Sequence, residues 1–271
     1  MSPSVMTTNA TGTGRSAGQL IQRWRAARRM SQMVLAHEAG ISPRHLSFVE
    51  TGRSAPSRTT LHKVGAALDL SLREKNTLLL TAGYAPPHPS TPWTAPEWQD
   101  VHRSLTEMVQ ASVPFPAMVV DANGDILLAN SVLLTLLGDL AADQQPLNTY
   151  RLVLAPGGIA DRIVNAETWQ SLLTTRLLER AAETDDPALP ALATPVPPRS
   201  RIAPTDQPAV PAPVVPLLLT YGQDVLTLAS VRAHLTEPRD VTAAELCLET
   251  FIPLDTGTRT VLEKLAGTPQ P

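Results

Sequence analysis

One cysteine, Cys247, stands in 271 residues. That excludes an internal disulfide and fits a reducing cytoplasm. No second cysteine and no histidine at metal-ligand spacing accompanies it, so it reads as a buried thiol and no metal site is expected. The six histidines, at positions 37, 45, 62, 88, 102 and 234, pair with nothing at such spacing. Nucleophile elbow, Walker loop and Gly-x-Gly-x-x-Gly are all missing, and Asp185-Asp186 sits in a proline-flanked stretch, so the sequence is not expected to be an enzyme. Lysine is scarce, 3 against 19 arginines, a genomic bias rather than a functional signal. The first 18 residues are rich in Ser, Thr and Gly and carry no apolar core, so they form neither a signal peptide nor a membrane span. Residues 1–17 are expected to be a disordered tail, and the protein to be cytoplasmic with no membrane partner.

What is present is enough apolar material, 43% of the residues, for one substantial core beside a smaller one, hence two domains. The most informative stretch runs from Ser31 to Thr51. There two short amphipathic helices meet at Gly40-Ile41, the layout of a helix-turn-helix. Val34, Leu35, Leu46 and Val49 recur at helical spacing and are expected to bury one face of each helix. Facing out on the second helix are Arg44, His45, Ser47, Phe48 and Thr51, which suit a major groove: Arg forks onto guanine, Ser and His donate or accept, and an aromatic ring meets a thymine methyl. Ser31 precedes the first helix, Ser42 with Pro43 starts the second, and Gly52 can end it in the left-handed conformation. Upstream, Leu20, Ile21, Trp24 and Ala27 form a stripe on a helix whose other face carries Arg23, Arg25, Arg28 and Arg29. Downstream, Leu61, Val64 and Leu68, then Leu72, Leu78 and Leu79, predict two more helices. Five helices over residues 18–84 make a compact DNA-binding domain.

Charge divides along the same line. Residues 1–83 hold eleven basic and four acidic side chains, a net +7, while the remainder holds eleven basic against twenty-one acidic, a net −10. The basic part is the natural site for a polyanion, because each phosphate neutralised releases counterions.

Residues 85–98, with Pro86, Pro87, Pro89, Pro92 and Pro96, read as a stiff linker. Val101, Leu105, Met108 and Val109 then predict an amphipathic helix. In the run from Pro116 to Asn130 two apolar segments flank Asn123-Gly124, a strong hairpin signal. Both faces of each segment are apolar, so the hairpin must be covered on both sides or line a cavity on one. Ser131 to Leu137 follows as a short helix capped by Asn130 or Ser131. Ten prolines between Asp186 and Pro216 rule out a packed element there, and 186–213 is expected to be a disordered loop.

These motifs carry a resemblance. Residues 19–58, with Ser31-Gln32, Leu35-Ala36, Gly40-Ile41-Ser42, Leu46-Ser47, Glu50-Thr51-Gly52-Arg53 and Pro56-Ser57, resemble the XRE (phage-repressor-like) helix-turn-helix family. The run Arg44 to Ser54, followed by Leu78 to Pro86, is similar to one branch, the MmyB-like transcription regulators, in which a PAS-like ligand-binding domain follows the DNA-binding one. Strand, Asn-Gly turn, strand, Asn130 and helix resemble a PAS opening. The likeness continues through Asn148 to Leu152, Pro156-Gly157-Gly158, Arg162 to Asn165, Trp169 and Arg176, and resumes from Val215 to Phe251. It implies an α+β fold of two domains, a five-helix lambda-repressor-like unit and a PAS-like antiparallel-sheet sensor over residues 99–266. It also implies that Gln32, Thr51 and Arg53 hold phosphates while Pro43, Arg44, His45 and Phe48 lie along the bases; Arg58 is expected to join the DNA contacts.

The family is associated with fatty-acid-like ligands, and no other cofactor is expected. Such a ligand fits an aliphatic wall of Met118, Val120, Leu128, Leu133, Leu137 and Leu152, with Arg151 or Arg162 taking a carboxylate and Asn165 as a donor. Ser230-Val231-Arg232-Ala233-His234 departs from the family, which has more aromatics there. The reading is a sequence-specific transcription regulator that binds double-stranded DNA as a homodimer, since one recognition helix reads too few base pairs for a unique site. A second reading stays open: a DNA-tethered scaffold whose acidic domain recruits a protein and binds no small molecule.

Overall fold

Serines start every helix of the amino-terminal unit. In the computed structural model, which describes residues 16–143, 146–184, 189, 192 and 213–267, Ser16, Ser31, Ser42, Ser57 and Ser71 cap α1 (Ala17–Ala27), α2 (Gln32–Glu38), α3 (Pro43–Glu50), α4 (Arg58–Ala67) and α5 (Leu72–Thr81). Each hydroxyl accepts the N–H three residues on, satisfying a donor that the helix itself leaves orphaned. Gln19 and Glu74 return a bond to the cap backbone and complete two capping boxes. Gly40 and Gly52 take φ of 60° and 73°, the left-handed turns expected after α2 and α3.

The caps sharpen several expectations. Ser16 and Ala17 belong to α1 rather than to the tail, and residues 1–15 lie outside the described residues. Val34 is 46% exposed, because α2 turns Leu35, Ala36 and Ala39 inward instead. Ala27 is likewise exposed, while Ala17, Leu20, Ile21 and Trp24 are buried. The core of the unit closes on Ile21, Leu35, Leu46, Leu61, Leu78 and Leu79.

The chain divides between Pro89 and Ser90. The segment expected as a linker is therefore shared between the units, and hydrogen bonds hold both parts down. Asn76 exchanges two bonds with His88, and the Tyr84 hydroxyl donates to the Pro56 carbonyl. In the second unit the Thr91 N–H donates to Asp240 and the Trp98 indole to the Thr91 carbonyl.

The second unit is built on an antiparallel sheet of β1 (Ala117–Val120), β2 (Ile126–Ala129), β3 (Leu217–Tyr221), β4 (Asp224–His234) and β5 (Cys247–Pro253), in the order β2-β1-β5-β4-β3. The helices are α6 (Gln99–Ala111), α7 (Ser131–Leu137), α8 (Leu140–Asp143), α9 (Thr149–Leu154), α10 (Ala166–Thr184), α11 (Val241–Glu245) and α12 (Thr256–Ala266). This is the expected PAS-like sheet domain after five helices.

Both alternatives for the doubly apolar hairpin are realised, one on each face. Ala117 and Val119 meet Leu105 and Val109 of α6, whereas Met118 and Val120 turn into the main core and its cavity. Asn130, wholly buried, joins the two layers. Its Oδ1 accepts from Ala117 and from Leu133, where it caps α7, and its Nδ2 donates to the carbonyls of Val109 and Phe115. The hairpin loop is longer than the two residues that Asn-Gly suggests. Asp121 Oδ1 accepts the N–H groups of Asn123 and Asp125, which nucleates a wider Asx turn, and Gly124 at φ 83° lies against Tyr150. Of the proline-rich 186–213 segment nearly all, with Asp185-Asp186, lies outside the described residues.

Candidate functional site

Along α3 and its C-cap Thr51, the residues Arg44, Ser47, Phe48 and Thr51 follow one another at helical spacing on the outward stripe, none of them in the core. Leu46 and Val49 anchor the opposite face, at most 1% exposed. Two cations flank the ring of Phe48: the Arg44 guanidinium lies 5.3 Å and that of Arg53 6.0 Å from its centroid. Pro43 is exposed at the first turn and His45 is half-buried. Thr51 Oγ1 donates to the Ser47 carbonyl at 2.7 Å, so this hydroxyl is engaged within α3. Arg58, exposed at the start of α4, donates to the Ala85 carbonyl.

Gln32 faces partly inward. Its Nε2 donates to Glu50 Oε2 at 2.7 Å, and Arg25 donates to both oxygens of the same carboxylate. Arg28 reaches Glu74 at 3.5 Å. Two of the four arginines expected on the cationic face of α1 thus neutralise buried acids. Arg29, Arg44, Arg53, Arg58 and Lys63 are exposed.

In the second unit the inner face of the sheet, α7, α9 and α10 enclose a cavity of about 150 Å³. Among the residues expected to line it, Met118, Val120, Leu133, Leu137 and Leu152 do so. Leu128 does not. It pairs with Val119 across the hairpin, and directly opposed residues share a face, so it packs in the outer layer with α6, and Ile126 takes the inner place.

Neither arginine expected at the head of a ligand reaches the cavity. Arg151 is exposed at the end of α9. Arg162 donates to the Thr220 carbonyl, and burial pulls its pKa below the ordinary value. Asn165 donates to Pro216 and accepts from Leu218, and with Trp169 it fastens β3 to the start of α10. These polar groups hold an edge strand in place.

The polar end of the cavity comes from residues that were not singled out for it: Asp121, Tyr150, Arg176, Arg232, Glu245 and Glu249. Trp169, Leu173 and Arg176 recur at one-turn intervals on α10, a spacing that sequence alone displays. Arg232 and Glu249 face each other across β4 and β5, a register that it does not. Burial pushes the Asp121 carboxyl above the usual carboxylate range, outweighing its two N–H bonds. Burial also raises the Tyr150 phenol against the pull of Arg232, Arg176 and Arg180. For Arg232 burial works against the charge, but its bond to Cys247 and the nearby Glu249 leave it more firmly protonated. Cys247 itself is shifted up by burial. Among the described residues no cluster of three His, Cys, Asp or Glu could hold a metal ion, and no helix is long and apolar enough to cross a membrane.

Residues 101–265 match the family model of the MmyB-like transcription regulator ligand binding domain, and residues 21–75 match a helix-turn-helix model. The chain belongs to the MmyB-like transcription regulators. As an MmyB-like regulator it combines a DNA-binding module with a ligand-binding domain. No curated protein matches it. Among solved structures it is similar to a SinR protein/SinI protein complex, at 30% identity over 34% of this chain and 82% of the other, with a TM-score of 0.22. An RNA-binding light-oxygen-voltage receptor aligns over 92% of this MmyB-like chain and 61% of its own, at 12% identity and a TM-score of 0.28.

Proposed function

We propose that this MmyB-like regulator reads a specific duplex sequence with α3 and that a small hydrophobic, acyl-type ligand in the second unit modulates that binding. The observation that carries the first part is the outward stripe of Arg44, Ser47, Phe48 and Thr51 on a helix-turn-helix. Arg44 is the principal base reader, because its fork can meet two acceptors of guanine, whereas Pro43 can only pack. Arg53 and Arg58 hold phosphates. A homodimer on two half-sites supplies the base pairs that one helix cannot reach.

The second part is supported by the aliphatic cavity and by the ligand-binding domain to which residues 101–265 belong. A ligand shifts operator affinity by no more than its differential affinity for the two states of the protein. Selection of bound duplexes from a random pool tests DNA reading: a palindromic consensus is expected, and an unenriched pool contradicts it. Native mass spectrometry tests the sensor: an adduct of fatty-acid mass supports it, and a clean apo mass together with a captured partner protein favours a scaffold.

A further inference from the structure

Phe48 is the aromatic member of the outward stripe, half-buried on α3 with the exposed Arg44 one turn before it. Side chains so spaced on a helix are neighbours. The Arg44 guanidinium lies 5.3 Å from the ring centroid, within the range at which a cation is drawn to the negative face of an aromatic ring. Arg53 comes from beyond the helix. Gly52, at φ 73°, turns the chain after α3, and the Phe48 carbonyl accepts the Arg53 N–H at 2.8 Å and that of Ser54 at 3.1 Å. The residue that fixes the backbone of Arg53 also faces its charge, with the guanidinium 6.0 Å from the ring centroid.

Among the described residues neither guanidinium enters an ion pair or a hydrogen bond, so the ring is what orients them. Two like charges beside one ring repel each other, and each long side chain loses rotamer freedom when a duplex immobilises it. A ring that attracts both offsets the repulsion and holds the two forks ready. Part of the ordering then precedes binding, which leaves less of it to oppose affinity.

We infer that Phe48 is a positioning residue: its ring orients Arg44 toward a base edge and Arg53 toward a phosphate, so that one side chain couples sequence reading to backbone holding. This rests on the α3 reading proposed above. A ring that instead meets a thymine methyl directly is an outcome that the test separates.

Titration of a selected duplex and its single-base variants with the full chain, over a range of salt, tests this when Phe48→Leu is made alone and together with Arg44→Ala or Arg53→Ala. Leucine keeps an apolar, helix-compatible side chain but has no π face. Phe48→Leu should lower preference at the base pair that Arg44 reads by about 2- to 5-fold, and affinity for every duplex by about the same factor, the scale of one exposed cation–π contact each. The slope of log K against log salt should not change, because no cation is lost. Phe48→Tyr should restore both quantities. With Arg44→Ala present, Phe48→Leu should no longer alter base preference, and with Arg53→Ala present it should no longer weaken duplexes already altered at that base pair. In the free protein the δ-protons of Arg44 and Arg53 should show upfield ring-current shifts by nuclear magnetic resonance, a readout that needs neither a variant nor a duplex. Ordinary arginine shifts in the wild type overturn the positioning role. So does an equal effect of Phe48→Leu with and without each arginine, which would mean that the ring meets the duplex itself. If Arg44→Ala relaxes no position, the α3 reading fails, and the positioning role falls with it.

Discussion

Arg25 donates from Nε and Nη2 to the two carboxylate oxygens of Glu50, at 2.8 and 3.0 Å, and so ties α1 to the end of α3. The Glu50 side chain is 1% exposed and Gln32 supplies a third donor. The pair is a joint between α3 and the helix that supports it. Burying two charges is costly in itself, but removing one partner is worse, because the other is left without compensation. Glu50→Ala should destabilise the first unit by about 3–5 kcal/mol, and Glu50→Gln by less, since the amide oxygen still accepts. Denaturant unfolding followed by far-ultraviolet dichroism measures both; a loss within error of zero for Glu50→Ala would mean that the joint carries nothing.

Gly18 lies where α1 crosses α3, and a Cβ there would sit 2.2 Å from the Val49 carbonyl oxygen, with Glu50 backbone atoms at about 3 Å. In an open helix Gly→Ala stabilises by about 1 kcal/mol. Here the obstacle is backbone that cannot swing aside, and overpacking costs about 1–3 kcal/mol. The second effect wins. Gly18→Ala is expected to lower the melting temperature of the first unit and weaken DNA binding through displacement of α3; a raised melting temperature would contradict the close approach.

Asp255 caps α12, with Oδ1 accepting the Thr258 N–H at 2.7 Å and Oδ2 the Thr258 hydroxyl at 2.8 Å. The N–H bond is the main cause that holds its carboxyl below the usual range, against a smaller opposing burial effect. Its folded pKa is lower than its unfolded one, so the stabilisation is fully present above the unfolded value and is lost as pH falls through the folded value. Asp255→Asn keeps an acceptor without a titrating charge. The stability difference between the wild type and this variant should therefore be constant near neutrality and shrink below about pH 4, the unfolded carboxylate range. A difference independent of pH down to acid unfolding would rule out the cap as a titrating element.

Much of this architecture is written in local chemistry. Serine before an amphipathic run announces a helix start whatever packs around it, which is why the first unit is legible almost residue by residue. Val34 is misplaced because a seven-residue helix offers too few apolar positions to define its buried face. Leu128 is misplaced because face depends on strand register, and Asp121 lengthens the loop that sets it. Glu50 looks like a surface acid until the fold brings Arg25, 25 residues away in sequence, beside it. The polar end of the cavity is hidden for the same reason: Tyr150, Arg176 and Arg232 come from α9, α10 and β4, and only the packing of the helices on the sheet gathers them.

The central claim is that α3 reads bases through Arg44 while Arg53 holds the backbone. Titration of wild type, Arg44→Ala and Arg53→Ala against a selected duplex and its single-base variants, over a range of salt, tests it most directly. Arg44→Ala should relax preference at one position by about 1–3 kcal/mol. Arg53→Ala should weaken all duplexes alike and reduce the slope of log K against log salt by about one. If the two variants lose affinity uniformly, with no position relaxed in either, α3 is not the helix that reads the sequence.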